Sequence, residues 1–383
     1  MKAKRNDKAK EKIRVRAKDF VGFTRAQAEL SIERFCGHEK IIRYADGLPV
    51  YTNLMPPLCS TAFANFLISL MFRILQNRMM PYLASFALTD ECNANCQHCS
   101  FFTSLDDPNK TPMTAEELKN AIRQAQDLGV SVINIVGGEP LMFPQWREVF
   151  QSVDKRKSHL LMFTNGWFLA ESAADLKAVG MGGVYVSLDA STAEAHDRKR
   201  GKEGLFAKAM EGINAALKAD LTVGISCCID EKDYESGELD RIIELGKRAG
   251  VHEVLVFDAI PVGKYAARDD LRGEGGVVGT SNSTWLDSLI DHVRPYNTDK
   301  SYPGVLIYSY SSSHLSRGCT SGVAQLYVSP YGEICPCDFY HPKFGSLREE
   351  KMYLIWDRMS QQMGAHGTCW TGCLSKKNKA THC

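Results

Sequence analysis

The chain has 383 residues, a formal net charge of +1, and 44% hydrophobic against 24% charged residues. That length suits one large α/β domain with appendages or two ordinary domains, and the near-zero charge gives no electrostatic case for a nucleic-acid partner. Thirteen cysteines, odd in number and unevenly clustered, fit metal ligation in a reducing compartment better than a disulfide framework. The charged opening is not followed by the apolar core of an export signal, so a cytoplasmic location is expected.

The basic opening MKAKRNDKAKEKIRVRAK reads as a solvated tail. Residues 58–75 then carry Phe63, Phe66, Leu67, Leu70, Met71, Ile74 and Leu75 at helical spacing, interrupted by Asn65 and Arg73. Such an amphipathic helix either packs on the protein or makes peripheral membrane contact in the interface; the interruptions make it a poor spanning segment.

After residue 82 a regular alternation begins. LASFALTD is strand-like. Thr114 to Glu117 form a capping box opening a helix that Gly129 closes. VINIV, HLLMFTNG, GVYVSLDA, LTVGISCCI and HEVLVFDAI follow as further strand-like runs, each preceded by a helix-length segment. Six runs in this order predict a parallel α/β sheet, either open and doubly wound or closed into a partial barrel. In both, ligands bind at the strand C-termini, where Cys92 onward, GGEP, TNG, SLD and Asp258 stand. RDDLRGEGGVVGTSNS then reads as a loop, and a second cysteine-rich region follows. The chain therefore divides into an N-terminal extension (1–82), an α/β core (83–265), a linker and bridging region (266–318) and a cysteine-rich extension (319–383).

Cys92-Asn-Ala-Asn-Cys96-Gln-His-Cys99 sets three thiols on one short loop after the first of these strands. Soft ligands at this spacing suit an iron–sulfur cluster, or a tetrahedral zinc with His98 as the fourth ligand. A three-cysteine cluster leaves one iron open to chelate a substrate.

This CxxxCxxC loop resembles the signature of the radical S-adenosylmethionine (SAM) superfamily. Gly137-Gly138-Glu139-Pro140 is similar to that family's GGEP, which contacts the methionine amino group of SAM. Ser187-Leu188-Asp189 is similar to its ribose-contacting motif, and Thr164-Asn165-Gly166 matches a familiar strand end. The resemblance implies a partial (β/α)6 TIM-like barrel, a SAM-binding [4Fe-4S] cluster on Cys92, Cys96 and Cys99, and SAM contacts from Gly137, Gly138, Glu139, Pro140, Asn165, Ser187 and Asp189.

Further on, Cys319, Gly332-Glu-Ile-Cys335-Pro-Cys337, Phe344 to Arg348 and Ile355-Trp356 resemble a SPASM or twitch extension, with a hairpin in LYVSPYGEICPC. The early CxxC of the full SPASM second half is missing, and Gly345-Ser346 replaces the usual Gly-Asn. The resemblance thus implies one auxiliary [4Fe-4S] cluster on Cys319, Cys337, Cys369 and Cys373, with Cys335 and Cys383 in reserve; a structural zinc knot is the alternative. Cys227 and Cys228 point to opposite faces of a strand and read as structural thiols.

The resemblance implies reductive cleavage of SAM to a 5'-deoxyadenosyl radical and hydrogen abstraction, in an oxidative modification of a peptide or protein. Oxidation or trimming of a small molecule, tetrapyrrole or lipid-like substrate is the alternative. A flavodoxin or ferredoxin would supply electrons. From another class, a non-catalytic iron–sulfur carrier or zinc-binding interaction protein would explain the cysteines but not GGEP and SLD.

Overall fold

Each of the six strand-like runs is a strand in the computed structural model, which describes residues 35–76, 79–101, 109–259, 262–266, 283–311 and 318–364, with Ile32, Ser313 and Ser316. The basic opening, Cys369, Cys373 and Cys383 lie outside the described residues. A small hairpin, β1 (Arg43–Ala45) and β2 (Leu48–Val50), comes first, turning through Asp46-Gly47 with positive φ at both. The main sheet holds β3 (Leu83–Ala87), β4 (Val132–Val136), β5 (His159–Thr164), β6 (Gly183–Ser187), β7 (Thr222–Ile229), β8 (Glu253–Asp258) and β9 (Gly304–Ile307). It continues through β10 (Gln325–Val328), β11 (Glu333–Cys335) and β12 (Gly345–Ser346), in the order β12-β11-β10-β3-β4-β5-β6-β7-β8-β9.

From β3 to β9 every neighbour is the next strand in the chain, and every pairing is parallel. A doubly wound sheet reverses its order at a switch point; this one never does, so right-handed crossovers put the helices on one face and leave the other concave. The partial barrel is thereby chosen over the open sheet. β9 falls in the stretch that reads as linker, because four residues are too few to display a period.

Side chains alternate accordingly. Phe86, Ile135, Met162, Val184, Ile225 and Val254 pack outward in one cluster with helix residues such as Leu118, Ile122, Leu176, Ile213 and Ile242. The helix Ala115–Leu128 begins on the expected capping box, with Glu117 N–H donating to Thr114 Oγ1, and ends on Gly129 at φ 104°. Inward, Leu161, Tyr185, Leu255 and Leu306 meet Phe35, Tyr51, Phe63, Phe66 and Leu67 of the N-terminal extension.

The helix expected at 58–75 spans Thr61–Gln76. Its Phe63, Phe66 and Leu67 are buried on the protein, and Asn65 Nδ2 donates to the Lys157 carbonyl. These three residues are spent on packing, whereas Met71 is exposed. No helix among the described residues is long and apolar enough to cross a membrane.

The same extension plugs the barrel at the strand N-termini. Asn53, fully buried, donates from its side chain to the Val184 and Thr222 carbonyls and from its backbone N–H to Glu253 Oε2 at 3.0 Å. Tyr185 Oη also donates to Glu253 Oε2, and His159 Nε2 lies 3.1 Å from the Asn53 carbonyl. At the sheet's other side the cysteine-rich extension is spliced into the barrel: β10 pairs parallel to β3, and the expected hairpin to β11 follows.

Candidate active site

The strand C-termini open into one cavity of about 590 Å³. Cys92, Cys96, Cys99, Gly137, Gly138, Glu139, Asn165, Ser187 and Asp189 all line it. Pro140 stands just behind, at the first position of a short turn, where its missing N–H costs nothing.

Backbone contacts position the cysteine loop. Asn95 N–H donates to the Arg200 carbonyl (2.9 Å), Gln97 N–H to that of Lys199 (3.1 Å), and Lys264 N–H to that of Cys99 (3.0 Å). The entry to the loop is held by GGEP. Gly138 N–H donates to the Thr89 carbonyl and Glu139 N–H to the Glu91 carbonyl at 2.8 Å. Gly137 has φ 118°, and a Cβ on Gly138 would stand 1.8 Å from the Glu91 oxygen. The two glycines are therefore required by the chain that leads into Cys92, whatever ligand they also meet.

Glu139 is fully buried and accepts from Thr164 Oγ1 (2.7 Å), Asn165 N–H (2.8 Å) and Leu141 N–H (3.3 Å). Burial outweighs these bonds and pushes its carboxyl up to about 7. Asn165 reaches across to the cysteine loop, its Nδ2 donating to Asn93 Oδ1 at 2.7 Å. Ser187 Oγ lies 3.4 Å from Ser226 Oγ.

Asp189 has a different setting. Its Oδ1 accepts from Cys228 N–H at 2.9 Å; its Oδ2 accepts from Arg200 Nε and faces His98 Nε2 at 3.2 Å. Burial opposes its ionisation, yet Arg200 and His98 hold the carboxyl well below the usual range. Arg200 also donates from Nη1 to Cys96 Sγ at 3.6 Å. The carboxylate is thus engaged in holding the cation beside the cysteine loop.

The thiols suit a metal cluster. Burial pushes Cys92 up to about 11 and raises Cys96 as well, so the thiolates need a strong cation for their charge. Cys92, Cys96 and Cys99 form no disulfide. Among the described residues no three His, Cys, Asp or Glu side chains converge as ligands of a single ion; in a cubane each cysteine holds a different iron.

In the extension, Cys319 and Cys337 are buried, and Gly322 N–H donates to the Pro336 carbonyl at 3.0 Å, setting the chain after Cys319 against the chain into Cys337. Cys335 packs with Ala87, Val136 and Tyr327, and burial pushes it up to about 12. Cys369, Cys373 and Cys383 are outside the described residues. Cys227 packs into the outer core, and Cys228, one residue on, belongs to the inward alternation of β7, as their adjacency requires.

Sequence reasoning missed Arg200 and Asp338. Arg200 closes the basic run Arg198-Lys199-Arg200, which looks like a solvated helix end; only its place eleven residues after Asp189, at the end of the helix that follows β6, hinted otherwise. Asp338 was overshadowed by Cys337. It lines the cavity, and burial pushes its carboxyl up to about 7.

Comparison with known proteins agrees with this geometry. Residues 86–239 match the radical SAM superfamily, and residues 319–383 match an iron–sulfur cluster-binding domain of the SPASM type. An AdoMet-dependent heme synthase of Methanosarcina barkeri is 26% identical over 290 residues, 72% of this chain and 82% of that protein. The subtilosin biosynthesis protein AlbA of Bacillus subtilis is 26% identical over 69% of this chain and 56% of its own length. Streptococcus suis SuiB bound to S-adenosylmethionine shares the fold with a TM-score of 0.61 at 15% identity, over 82% of this chain and 79% of that one. With the loop, GGEP and SLD on one cavity, this chain belongs to the radical SAM superfamily: an enzyme of SAM and a [4Fe-4S] cluster, with a SPASM-type auxiliary iron–sulfur domain.

Proposed function

We propose that the chain cleaves SAM reductively and abstracts a hydrogen atom from a peptide or protein substrate, oxidising it. The observation that carries this is the meeting of the CxxxCxxC loop, GGEP, Asn165 and SLD on one cavity. In this proposal Cys92, Cys96 and Cys99 hold the cluster. Bound there with SAM, the cluster supplies one-electron cleavage of the sulfonium bond and hence the 5'-deoxyadenosyl radical.

The chain's own residues bind and orient. Gly137 to Pro140 offer the methionine end of SAM a backbone edge and the Glu139 carboxyl. Asn165 and Ser187 face the nucleoside, and Asp189 acts through Arg200, whose charge stands beside the cysteine loop. The aromatic side chains Phe163, Phe257, Tyr308 and Phe339 line the cavity and exclude water from the reacting carbon. A net oxidation also needs an acceptor for the remaining substrate electron; Cys319, Cys337, Cys369 and Cys373 would hold the auxiliary cluster that fits the need. A flavodoxin or ferredoxin would be the reductant.

Peptide substrates are supported by the likeness to AlbA and SuiB, a tetrapyrrole substrate by the likeness to the heme synthase. The test of the core reaction is anaerobic reconstitution with iron and sulfide, reduction by dithionite and assay of 5'-deoxyadenosine from SAM. Production is expected; a reconstituted protein that makes none breaks the proposal.

A further inference from the structure

One wall of the cavity is built within the strands rather than at their ends. Ser85 and Asn134 are paired neighbours on β3 and β4, one pleat deeper than Ala87 and Val136. Asn134 Nδ2 donates to Ser85 Oγ at 3.1 Å, and Ser85 Oγ donates to Asp338 Oδ2 at 3.0 Å. This relay runs from the amide to the carboxylate and leaves two buried oxygens, Asn134 Oδ1 and Asp338 Oδ1, without a hydrogen-bond partner among the described residues. Both residues line the cavity.

Carboxyl groups outnumber basic ones around them. Asp90, Glu91, Glu139, Asp189, Asp258 and Asp338 all line the cavity. The only basic side chains among its described lining residues are Arg200 and His98, and both are engaged by Asp189. Aromatic rings line the same cavity: Phe257 and Tyr308 have centroids 4.7 Å apart, and Phe339 lies 5.6 Å from Tyr308. A carboxylate or phosphate entering here would meet unpartnered acceptors and no free cation, at a full desolvation cost. An N–H or O–H donor would satisfy the orphaned oxygens, and an ammonium would also gain from the rings.

We propose that the Asn134–Ser85–Asp338 wall selects a peptide whose reacting residue bears a hydrogen-bond donor, an amine or a hydroxyl, and turns away polycarboxylates and phosphate esters. This rests on the radical SAM chemistry proposed above and names the substrate class within it.

The test uses the reconstituted holoenzyme with SAM, titrated anaerobically by calorimetry with end-capped pentapeptides identical except for a central Lys, Ser, Ala or Glu, and with iron coproporphyrin III and GTP. The Lys or Ser peptide should bind at least ~10-fold tighter than the Glu peptide, and coproporphyrin and GTP should not compete. Asp338→Asn should reduce the Lys-over-Glu preference at least ~10-fold, and Asn134→Ala should weaken the donor-bearing peptides alone. Failure of both donor-bearing peptides to bind, equal or tighter binding of the Glu peptide or coproporphyrin, or a preference unchanged in both variants overturns the proposal. Unmodified enzyme assayed without probe separates the two levels: absent 5'-deoxyadenosine breaks the underlying reaction, whereas intact SAM cleavage with an inverted ranking breaks only the selectivity.

Discussion

The two ends of the barrel are made from the same strands and differ in what their inward side chains meet. At the N-terminal ends, His159, Tyr185 and Glu253 are met by Thr52 and Asn53 of the extension, and an apolar cluster closes over them. At the C-terminal ends, Glu139, Ser187 and Asp338 face a cavity. Both ends bury carboxyls whose titration is pushed up by burial, Glu253 below and Glu139 and Asp338 above. Perturbed acidity therefore does not mark the working end by itself; the difference is whether the chain itself fills the space.

Substitutions at the two ends should separate chemistry from stability. The largest effect is expected from Cys96→Ala: 5'-deoxyadenosine formation should drop to background and about four irons per chain should be lost, by iron analysis. Retained cleavage would show that this end of the barrel is not the reacting one. Cys337→Ala should also remove about four irons while uncoupled SAM cleavage continues, whereas Cys335→Ala should remove none, since Cys335 packs against Ala87 and Val136. Equal iron loss in both would reassign the auxiliary ligand.

At the plugged end, Asn53→Ala removes donors to two buried carbonyls and should cost ~1–3 kcal/mol in denaturant unfolding, with unchanged SAM cleavage by the folded protein. An effect of similar size is expected from Glu253→Gln, and it depends on pH. Burial raises the Glu253 carboxyl from 4.5 to about 7. Between those values the unfolded chain gives up its proton while the folded one keeps it, so the group's stabilising contribution is whole below pH 4.5 and is lost as pH rises through 7. Glu253→Gln should therefore gain on the parent by roughly 1–3 kcal/mol as pH rises from about 5 to about 7.5. His159, lowered to about 4 by burial, works in the opposite direction in both proteins and cancels in their difference. A pH-independent difference would place Glu253 outside the plug.

The sequence made the working end far more legible than the plugged one. Helix and strand periods announce six strand–helix units, and Cys92, Gly137, Asn165 and Ser187 are chemically conspicuous at strand ends. Asn53 and Glu253 are 200 residues apart, and neither belongs to a motif, so no local pattern could pair them. β9 is too short to show alternation, and Arg200 is disguised by two basic neighbours. Asp189 is conspicuous in its motif, but that its carboxylate is engaged by Arg200, His98 and the Cys228 backbone is a property of the fold that no local pattern displays.

The parallel pairing of β10 with β3 makes the C-terminal region a poor candidate for modular exchange. A chain cut after residue 318 would lose β10 to β12 and leave β3, the strand that leads into the cysteine loop, as a bare edge with unpaired amides and carbonyls. Such an edge invites pairing with another molecule. Transplanting this region onto a different barrel, or removing it to simplify the enzyme, would therefore mean redesigning a sheet rather than trimming an appendage.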